Sequence, residues 1–149
     1  MKKILFISAI VLTITFLSTS FSYYDGNTGA VIDAEINFLK EDVEKAREEA
    51  KNESKLIFID TYADWCRPCK MMDKQVFTDE KVIKYFNDHF VAVKIDGEKG
   101  KGPDFMKKHN IRGYPTFVIM DADEKVLHQF AGFYNADKFL KEVKKASSK

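Results

Sequence analysis

Hydrophobic residues fall into runs of two kinds along this chain, and each kind predicts a different element. The runs L-I-F-I-D-T-Y, residues 56–62, and F-V-A-V-K-I-D, residues 90–96, are nearly continuous in apolar character and rich in β-branched residues. Such runs are typical of strands buried on both faces, as in a parallel sheet. A short strand is predicted at residues 36–39, and T-F-V-I-M and K-V-L-H-Q-F-A, separated by D-A-D-E, predict a hairpin.

Apolar residues at helical spacing separate these strands. A surface helix is predicted at residues 41–51, a second helix capped by Thr78, a short helix opened by Pro103, and a last helix capped by Asn135. The residues expected to face inward are Leu39, Val43, Ala46, Ala50, Val82, Ile83, Phe86, Phe139, Leu140 and Val143. Strands that alternate with helices predict an α/β fold, with a mixed central sheet covered by helices on both faces.

The N-terminus has the pattern of a secretory signal peptide. Two lysines precede an apolar run at residues 4–17, and Ser20 and Ser22 are small residues suited to cleavage after residue 22. The run is short for a membrane span, which needs about 20 apolar residues, although an uncleaved membrane anchor is the alternative. We therefore expect an exported protein with a signal peptide at 1–22, a lead-in segment at 23–35 and one folded domain at 36–149.

Composition limits the classes of function. The 149 residues suit one domain, and a hydrophobic fraction of 45% with 13% aromatic residues is enough for one packed core. The formal net charge of +1 provides no basic field for nucleic acid. We expect a monomer with no nucleic-acid partner.

The chemistry of the chain centres on its only two cysteines, Cys66 and Cys69, in D-W-C-R-P-C-K. Outside the cytosol a structural disulfide is the usual expectation, but so small a loop stabilises a domain little. The spacing therefore favours a pair that opens and closes. The alternative of a zinc site needs about four ligands, and His89, His109 and His128 have no ligand-like spacing. We expect neither a metal nor a cofactor.

Cys66 falls where a helix should begin, so unpaired backbone N–H groups and the helix dipole would stabilise its thiolate. We expect Cys66 to be the exposed, attacking cysteine and Cys69, three residues later, to reach it. Arg67 adds a positive charge that tunes the reduction potential, and Pro68 is tolerated because the first turn does not use its N–H. Trp65 is expected to form a partly exposed wall of the site, and Met71 to lie in the core.

Two further positions stand out. Asp60 lies within an apolar strand, where a carboxylate is costly unless it has a partner or a task. If buried, it would have a raised pKa and could exchange the proton of Cys69; the alternative is a solvated residue at the strand end. The second position is G-Y-P-T at residues 113–116, where Tyr114–Pro115 is a candidate cis peptide bond before a strand.

Together these features resemble the thioredoxin superfamily over residues 36–145. A-D-W-C-R-P-C-K-M resembles the family's active-site run, Asp60 stands where the family keeps its buried acid, and I-R-G-Y-P-T resembles its cis-proline loop. Y-A-D-W-C and V-F-T-D-E-K-V are similar to the C-terminal domain of bacterial thiol:disulfide interchange proteins. The resemblance implies a thioredoxin fold and thiol–disulfide oxidoreductase activity, with Trp65, Tyr114 and Pro115 contacting substrate.

The resemblance also implies partners: protein disulfides as substrates and a membrane protein as electron donor. Exported disulfide oxidase or isomerase activity, and a redox-silent peptide-binding module, are alternatives. Three positions depart from the family pattern. Arg-Pro replaces Gly-Pro between the cysteines, Tyr114 is bulkier than the usual residue, and Ala92 stands where thioredoxins keep a lysine, with Lys94 as a candidate substitute.

Overall fold

The computed structural model describes residues 35–146. The expected signal peptide and nearly all of the lead-in segment lie outside the described residues. Within residues 35–146, no helix is long and apolar enough to cross a membrane. The elements, in chain order, are β1 (Phe38–Lys40), α1 (Val43–Glu53), β2 (Leu56–Tyr62), α2 (Arg67–Gln75), α3 (Glu80–His89), β3 (Phe90–Asp96), α4 (Gly102–Lys108), β4 (Thr116–Met120), β5 (Val126–Ala131) and α5 (Ala136–Lys144).

The strands form one mixed sheet in the order β1-β3-β2-β4-β5. β3 is parallel to both β1 and β2, whereas β4 is antiparallel to β2 and β5 is antiparallel to β4. Because β2 is hydrogen-bonded on both edges and covered on both faces, its residues 57–61 are all buried. The predicted mixed α/β sheet and hairpin are confirmed, and β2 and β3 have the predicted bounds.

Alternate residues of β2 face opposite layers of the fold, as the period of a strand requires. Ile57 and Ile59 belong to a core cluster that includes residues of α1, with α4 residues packed against it. Phe58 belongs to the other cluster, which contains residues of α2, α3 and α5. Asp60 follows Phe58 by two residues, so its side chain leaves the sheet on the side covered by α2.

Aromatic rings form the centre of this second cluster. Five rings surround Phe58, with centroids 4.7 to 6.3 Å from its own; four are edge-to-face and one is stacked. Such pairs add favourable energy beyond the area they bury. The five rings are those of Phe77, Phe86, Phe90, Phe117 and Phe139. The layer beneath α2 is therefore densely packed.

The predicted cap of α3 was wrong. Asp79, not Thr78, is the N-cap: its Oδ1 accepts the N–H groups of Lys81 at 2.9 Å and Val82 at 3.3 Å. The Thr78 hydroxyl instead donates to the carbonyl of Lys74 in the last turn of α2, at 2.9 Å. A carboxylate is the stronger acceptor for unpaired N–H groups, because its bond is charge-assisted. The predicted cap of α5 is confirmed, since Asn135 accepts the N–H of Lys138.

Three other predictions differ in detail. The first strand is residues 38–40 rather than 36–39, and α1 extends to Glu53 rather than residue 51. Met71 is only half-buried, and Met72 is the methionine of α2 that lies in the core. Met72 follows Cys69 by three residues and precedes Val76 by four, so these three share the inward face of the helix.

Candidate active site

The chain turns from β2 into α2 at the cysteine pair. Cys66 is the N-cap of α2 and has an extended backbone conformation, with φ −68° and ψ 102°. Its sulfur accepts a hydrogen bond from the backbone N–H of Cys69 at 3.1 Å. Pro68 lies in the first turn, where its missing N–H leaves no helical hydrogen bond unmade. The predicted position of Cys66 at the helix start is confirmed, and this donor would favour a thiolate there.

Cys66 and Cys69 are joined by a disulfide, with Cα atoms 5.3 Å apart. The expectation that only Cys66 is exposed was wrong for this form, because Cys66 is 1% and Cys69 4% exposed. The reason is packing by two tyrosines: Tyr62, which is close in sequence, and Tyr114, which is distant, pack against the cluster that the two cysteines form with Ala63. The disulfide is therefore covered, although it lies at the edge of the fold.

Asp60 is a buried acid rather than a solvated residue at the strand end. It is 1% exposed, and its Oδ1 has no hydrogen-bond partner among the described residues. Burial removes water from the carboxylate and raises its pKa from 3.8 to about 6, although the nearby Lys94 acts in the opposite direction. Asp60 can therefore take up or release a proton near neutral pH.

Lys94 is the cation that pairs with this acid. It stands opposite Asp60 in the register of β2 and β3, and its Nζ lies 3.2 Å from Asp60 Oδ2. The same Nζ forms an ion pair with Asp73 of α2. Burial alone would lower the pKa of Lys94, but the two carboxylates outweigh it and the net shift is upward. Lys94 thus takes the place of the lysine missing at Ala92.

Sequence reasoning did not single out Asp73. Its signal was present in the spacing, because Asp73 follows Cys69 by four residues and so lies on the same side of α2. The Asp73 side chain is 46% exposed, while that of Asp60 is 2% exposed. The three groups therefore form a line of charges from the interior towards solvent.

Two aromatic residues, Trp65 and Tyr114, lie beside the covered disulfide. Trp65 is 68% exposed, as predicted for a wall of the site, and its indole N–H donates to Glu98 Oε1 at 2.9 Å. Its ring meets that of Tyr114 edge-to-face, with centroids 5.9 Å apart. The Tyr114–Pro115 peptide bond is cis. Sequence reasoning missed Glu98, which follows β3, because its contact with Trp65 spans 33 residues.

An open groove with a volume of about 570 Å³ runs beside this wall. It is formed by residues 110–116 and residues 129–132, and includes Tyr114 and Pro115. We call it the cis-proline groove. Arg67 is exposed on the helix side of the disulfide, and Pro68 is half-buried beside it. Of the eight residues singled out from the sequence, six thus lie on or near the turn from β2 into α2, and the other two, Tyr114 and Pro115, lie on the loop before β4.

The histidines lie in separate elements. His89 ends α3, and His109 follows the last residue of α4, as expected for residues favourable near helix C-termini. His128 of β5 lies 3.3 Å from Glu142 of α5. Within the described part of the chain, no three side chains of His, Cys, Asp or Glu converge as metal ligands.

The raised pKa of Asp60 predicts a pH-dependent stability. The folded state holds the proton up to about pH 6, whereas the unfolded state releases it near 3.8. The contribution of this group to stability is therefore complete below pH 4 and is lost as the pH rises through 6. We expect Asp60→Asn to increase the free energy of unfolding at pH 7.5, by up to about 3 kcal/mol, and to have little effect at pH 4.

Urea unfolding of the disulfide form at both pH values measures this effect. Asp123→Asn is the matched control, because that side chain is 84% exposed and should change stability by less than about 0.5 kcal/mol. A variant at position 60 that is less stable than the parent at pH 7.5 would show that the ion pair outweighs the cost of burial.

Comparison with known proteins places this site in a family. A model of the thioredoxin-like domain matches residues 43–147. The thiol:disulfide interchange protein DsbD of Campylobacter jejuni is 30% identical over 101 residues, which are 67% of this chain and 18% of that protein. The DsbD of Actinobacillus pleuropneumoniae is 34% identical over 92 residues, 60% of this chain and 16% of that protein. The chain thus spans less than a fifth of the length of these relatives.

Solved structures agree with the sequence relatives. A proposed disulphide-isomerase from Bacteroides thetaiotaomicron has a TM-score of 0.69 and 38% identity, over 76% of this chain and 94% of that one. The oxidised C-terminal domain of DsbD from Neisseria meningitidis has a TM-score of 0.62 over 74% of this chain and 99% of that one; its identity of 20% supports the fold alone. The protein has the thioredoxin fold and belongs to the thioredoxin-like family.

Proposed function

We propose that this protein is a thiol–disulfide oxidoreductase that reduces or exchanges disulfides in exported proteins. The observation that carries the proposal is the position of the Cys66 sulfur, which caps α2 and accepts the N–H of Cys69. A hydrogen bond to a helix N-terminus favours the thiolate, and the thiolate is the species that attacks a disulfide. The buried acid on the neighbouring strand supplies the second requirement, a group that exchanges protons near neutral pH.

In the first step, the Cys66 thiolate of the reduced protein attacks one sulfur of a substrate disulfide. The substrate S–S bond breaks, a mixed disulfide forms, and the released substrate sulfur leaves as a thiolate that takes up a proton. Trp65 and the cis-proline groove would hold the substrate chain during this step. Arg67, exposed beside the pair, adds a positive charge that stabilises the Cys66 thiolate only weakly, because solvent screens it.

In the second step, Cys69 gives its proton to Asp60 and attacks Cys66 in the mixed disulfide. The Cys66–Cys69 bond forms, and the second substrate sulfur leaves as a thiolate and is protonated in turn. Two electrons and two protons pass in total from the cysteine pair to the substrate. Lys94 stabilises the ionised form of Asp60 after it has released its proton, which brings the acid back to the state that can accept another.

A protein that reduces disulfides outside the cytosol must itself be reduced again. The net reaction requires a dithiol donor, and a membrane protein that carries electrons across the membrane is the simplest supplier. Disulfide isomerisation is a second candidate, favoured by the 38% identity with the proposed disulphide-isomerase of Bacteroides thetaiotaomicron. It would use the first step and return the electrons to the same substrate.

Insulin reduction tests the proposed activity. With dithiothreitol as donor, we expect the protein to accelerate insulin precipitation, and Cys66→Ser and Cys69→Ser each to abolish the acceleration. Asp60→Asn should slow turnover by about 10²-fold at pH 7, because the proton acceptor is lost while the shape is kept. Asp123→Asn serves as the matched control.

Two results would contradict these roles. A protein with an intact cysteine pair that does not accelerate precipitation would be a redox-silent binding module. Unchanged kinetics of Asp60→Asn between pH 6 and 9 would make Asp60 a structural residue only. Scrambled ribonuclease separates the second candidate, since an isomerase supplied in its reduced form restores ribonuclease activity without net oxidation of its cysteine pair.

The reduction potential of the pair distinguishes a reductase from an oxidase. We expect a value between about −270 mV and about −180 mV, the range from thioredoxin to disulfide isomerase. The helix start favours the thiolate form, while Arg67 is exposed and should contribute under about 20 mV. Equilibration with glutathione, followed by acid quenching and gel separation, measures it. A value near about −120 mV would instead identify an exported oxidase.

We further propose that the protein acts in the periplasm or another extracytoplasmic compartment, after loss of residues 1–22. The support is the pattern of two lysines, an apolar run and small residues before position 23. Mass spectrometry of the protein recovered from the extracytoplasmic fraction should give a chain that begins at Tyr23. Recovery of the full-length chain from the membrane fraction would favour the uncleaved anchor.

A further inference from the structure

The disulfide is less accessible than its reaction requires. Thiol attack needs a free path to one sulfur, along the line of the S–S bond. Cys66 is 1% and Cys69 4% exposed, and Tyr62 and Tyr114 pack against the cluster that the two cysteines form with Ala63. A side chain must therefore move before any thiol can react with this form.

The position of the Tyr114 ring depends on a glycine, Gly97. A Cβ atom placed on Gly97 would overlap the hydroxyl group and two ring carbons of Tyr114. The phenol ring thus lies directly on the backbone of Gly97, in space that any other residue would fill. That backbone is itself fixed, because the Gly97 N–H donates to the carbonyl of Tyr62 at 2.8 Å.

The residues after Gly97 contact Trp65, the other aromatic residue beside the disulfide, and the segment around it. Glu98 accepts the indole N–H of Trp65 at 2.9 Å, and the Trp65 ring lies against Tyr114. Lys99 forms ion pairs with Asp64 and with Asp96. The segment from Asp96, at the end of β3, to Lys99 therefore contacts both the residues before Cys66 and the ring of Tyr114.

We propose that Gly97 is a specificity-determining residue: it seats Tyr114 over the Cys66–Cys69 disulfide, so that the site reacts with polypeptide partners in preference to small thiols. A polypeptide that binds in the cis-proline groove gains contact energy that can displace the ring, whereas a small thiol makes too few contacts to do so. The inference rests on the proposed function for its choice of partner. The covering of the disulfide by the Tyr114 ring does not depend on the proposed function.

The first experiment measures reduction of the disulfide by dithiothreitol, which is oxidised to its cyclic disulfide as Cys66 and Cys69 become thiols. Gly97→Ala should push the ring away and speed reduction by roughly tenfold, because a minor open state of about 10% or less limits the parent. Acid quenching and maleimide labelling on a gel give the rate. Asp123→Ala is the control for a substitution away from the site, since that side chain is 84% exposed.

A double-mutant cycle assigns the effect to the ring. Tyr114→Ala should also speed reduction, and Gly97→Ala should add nothing in that background. The proposal is overturned if Tyr114→Ala leaves the rate of reduction unchanged, or if Gly97→Ala still speeds reduction in the Tyr114→Ala background. It is also overturned if the variants shift the equilibrium constant for reduction by dithiothreitol by as much as they raise the rate. Circular dichroism spectra show whether each variant folds. If Gly97→Ala does not fold, the rate of reduction of Tyr114→Ala alone tests whether the ring covers the disulfide.

The preference for polypeptides is tested with a second reductant. When a reduced thioredoxin replaces dithiothreitol, Tyr114→Ala should raise the rate of reduction by a smaller factor than it does with dithiothreitol. The rate with thioredoxin divided by the rate with dithiothreitol should therefore fall. An equal or larger gain overturns the preference. These rates do not depend on turnover of insulin, so a protein inactive in the insulin assay can still show the closed ring, and an active protein can lack it.

Discussion

Strand β2 is hydrogen-bonded to β3 on one edge and to β4 on the other, and the position of every group at the site depends on it. The ladder on both sides fixes the strand's pleat, so Phe58 and Asp60 must face the same layer. The strand ends at Tyr62, four residues before the sulfur that caps α2. A buried acid and a helix N-terminus are thereby supplied by one continuous segment that has little freedom to move.

The acid is kept in an apolar layer by a cation that shares that layer. Lys94 Nζ lies 5.1 to 5.4 Å from the ring centres of Phe38, Tyr62 and Phe77, so aromatic faces replace part of its lost water. It divides its charge between Asp60 and Asp73. The burial cost of Asp60 is thus only partly offset, which leaves its pKa within reach of physiological pH. A full pairing would have made it a permanently ionised structural group.

Local signals in the sequence were sufficient for the fold and for the position of the cysteine pair at a helix start. The apolar runs of β2 and β3 predicted both strands to the residue, and the helix start at Cys66 followed from its position behind β2. Burial of the sulfurs could not be predicted, because Tyr114 is 48 residues away from Cys66 along the chain. The same holds for the contact of Glu98 with Trp65. It also holds for the burial of Asp60 beside Lys94, which rules out the alternative of a solvated acid at the strand end. Each is a contact between elements that only the assembled sheet brings together.

Trp65 is the only tryptophan of the chain, and it lies at the site rather than in the core. Its indole is held by one carboxylate and one aromatic ring, both from segments distant in sequence. The intrinsic fluorescence of the protein is therefore a local signal that reports on this wall. Loosening of the loop after β3 would change the emission while the aromatic core stayed packed. A transition followed by tryptophan emission should then precede one followed by far-ultraviolet circular dichroism, and the two-state approximation would have to be tested before either midpoint is used.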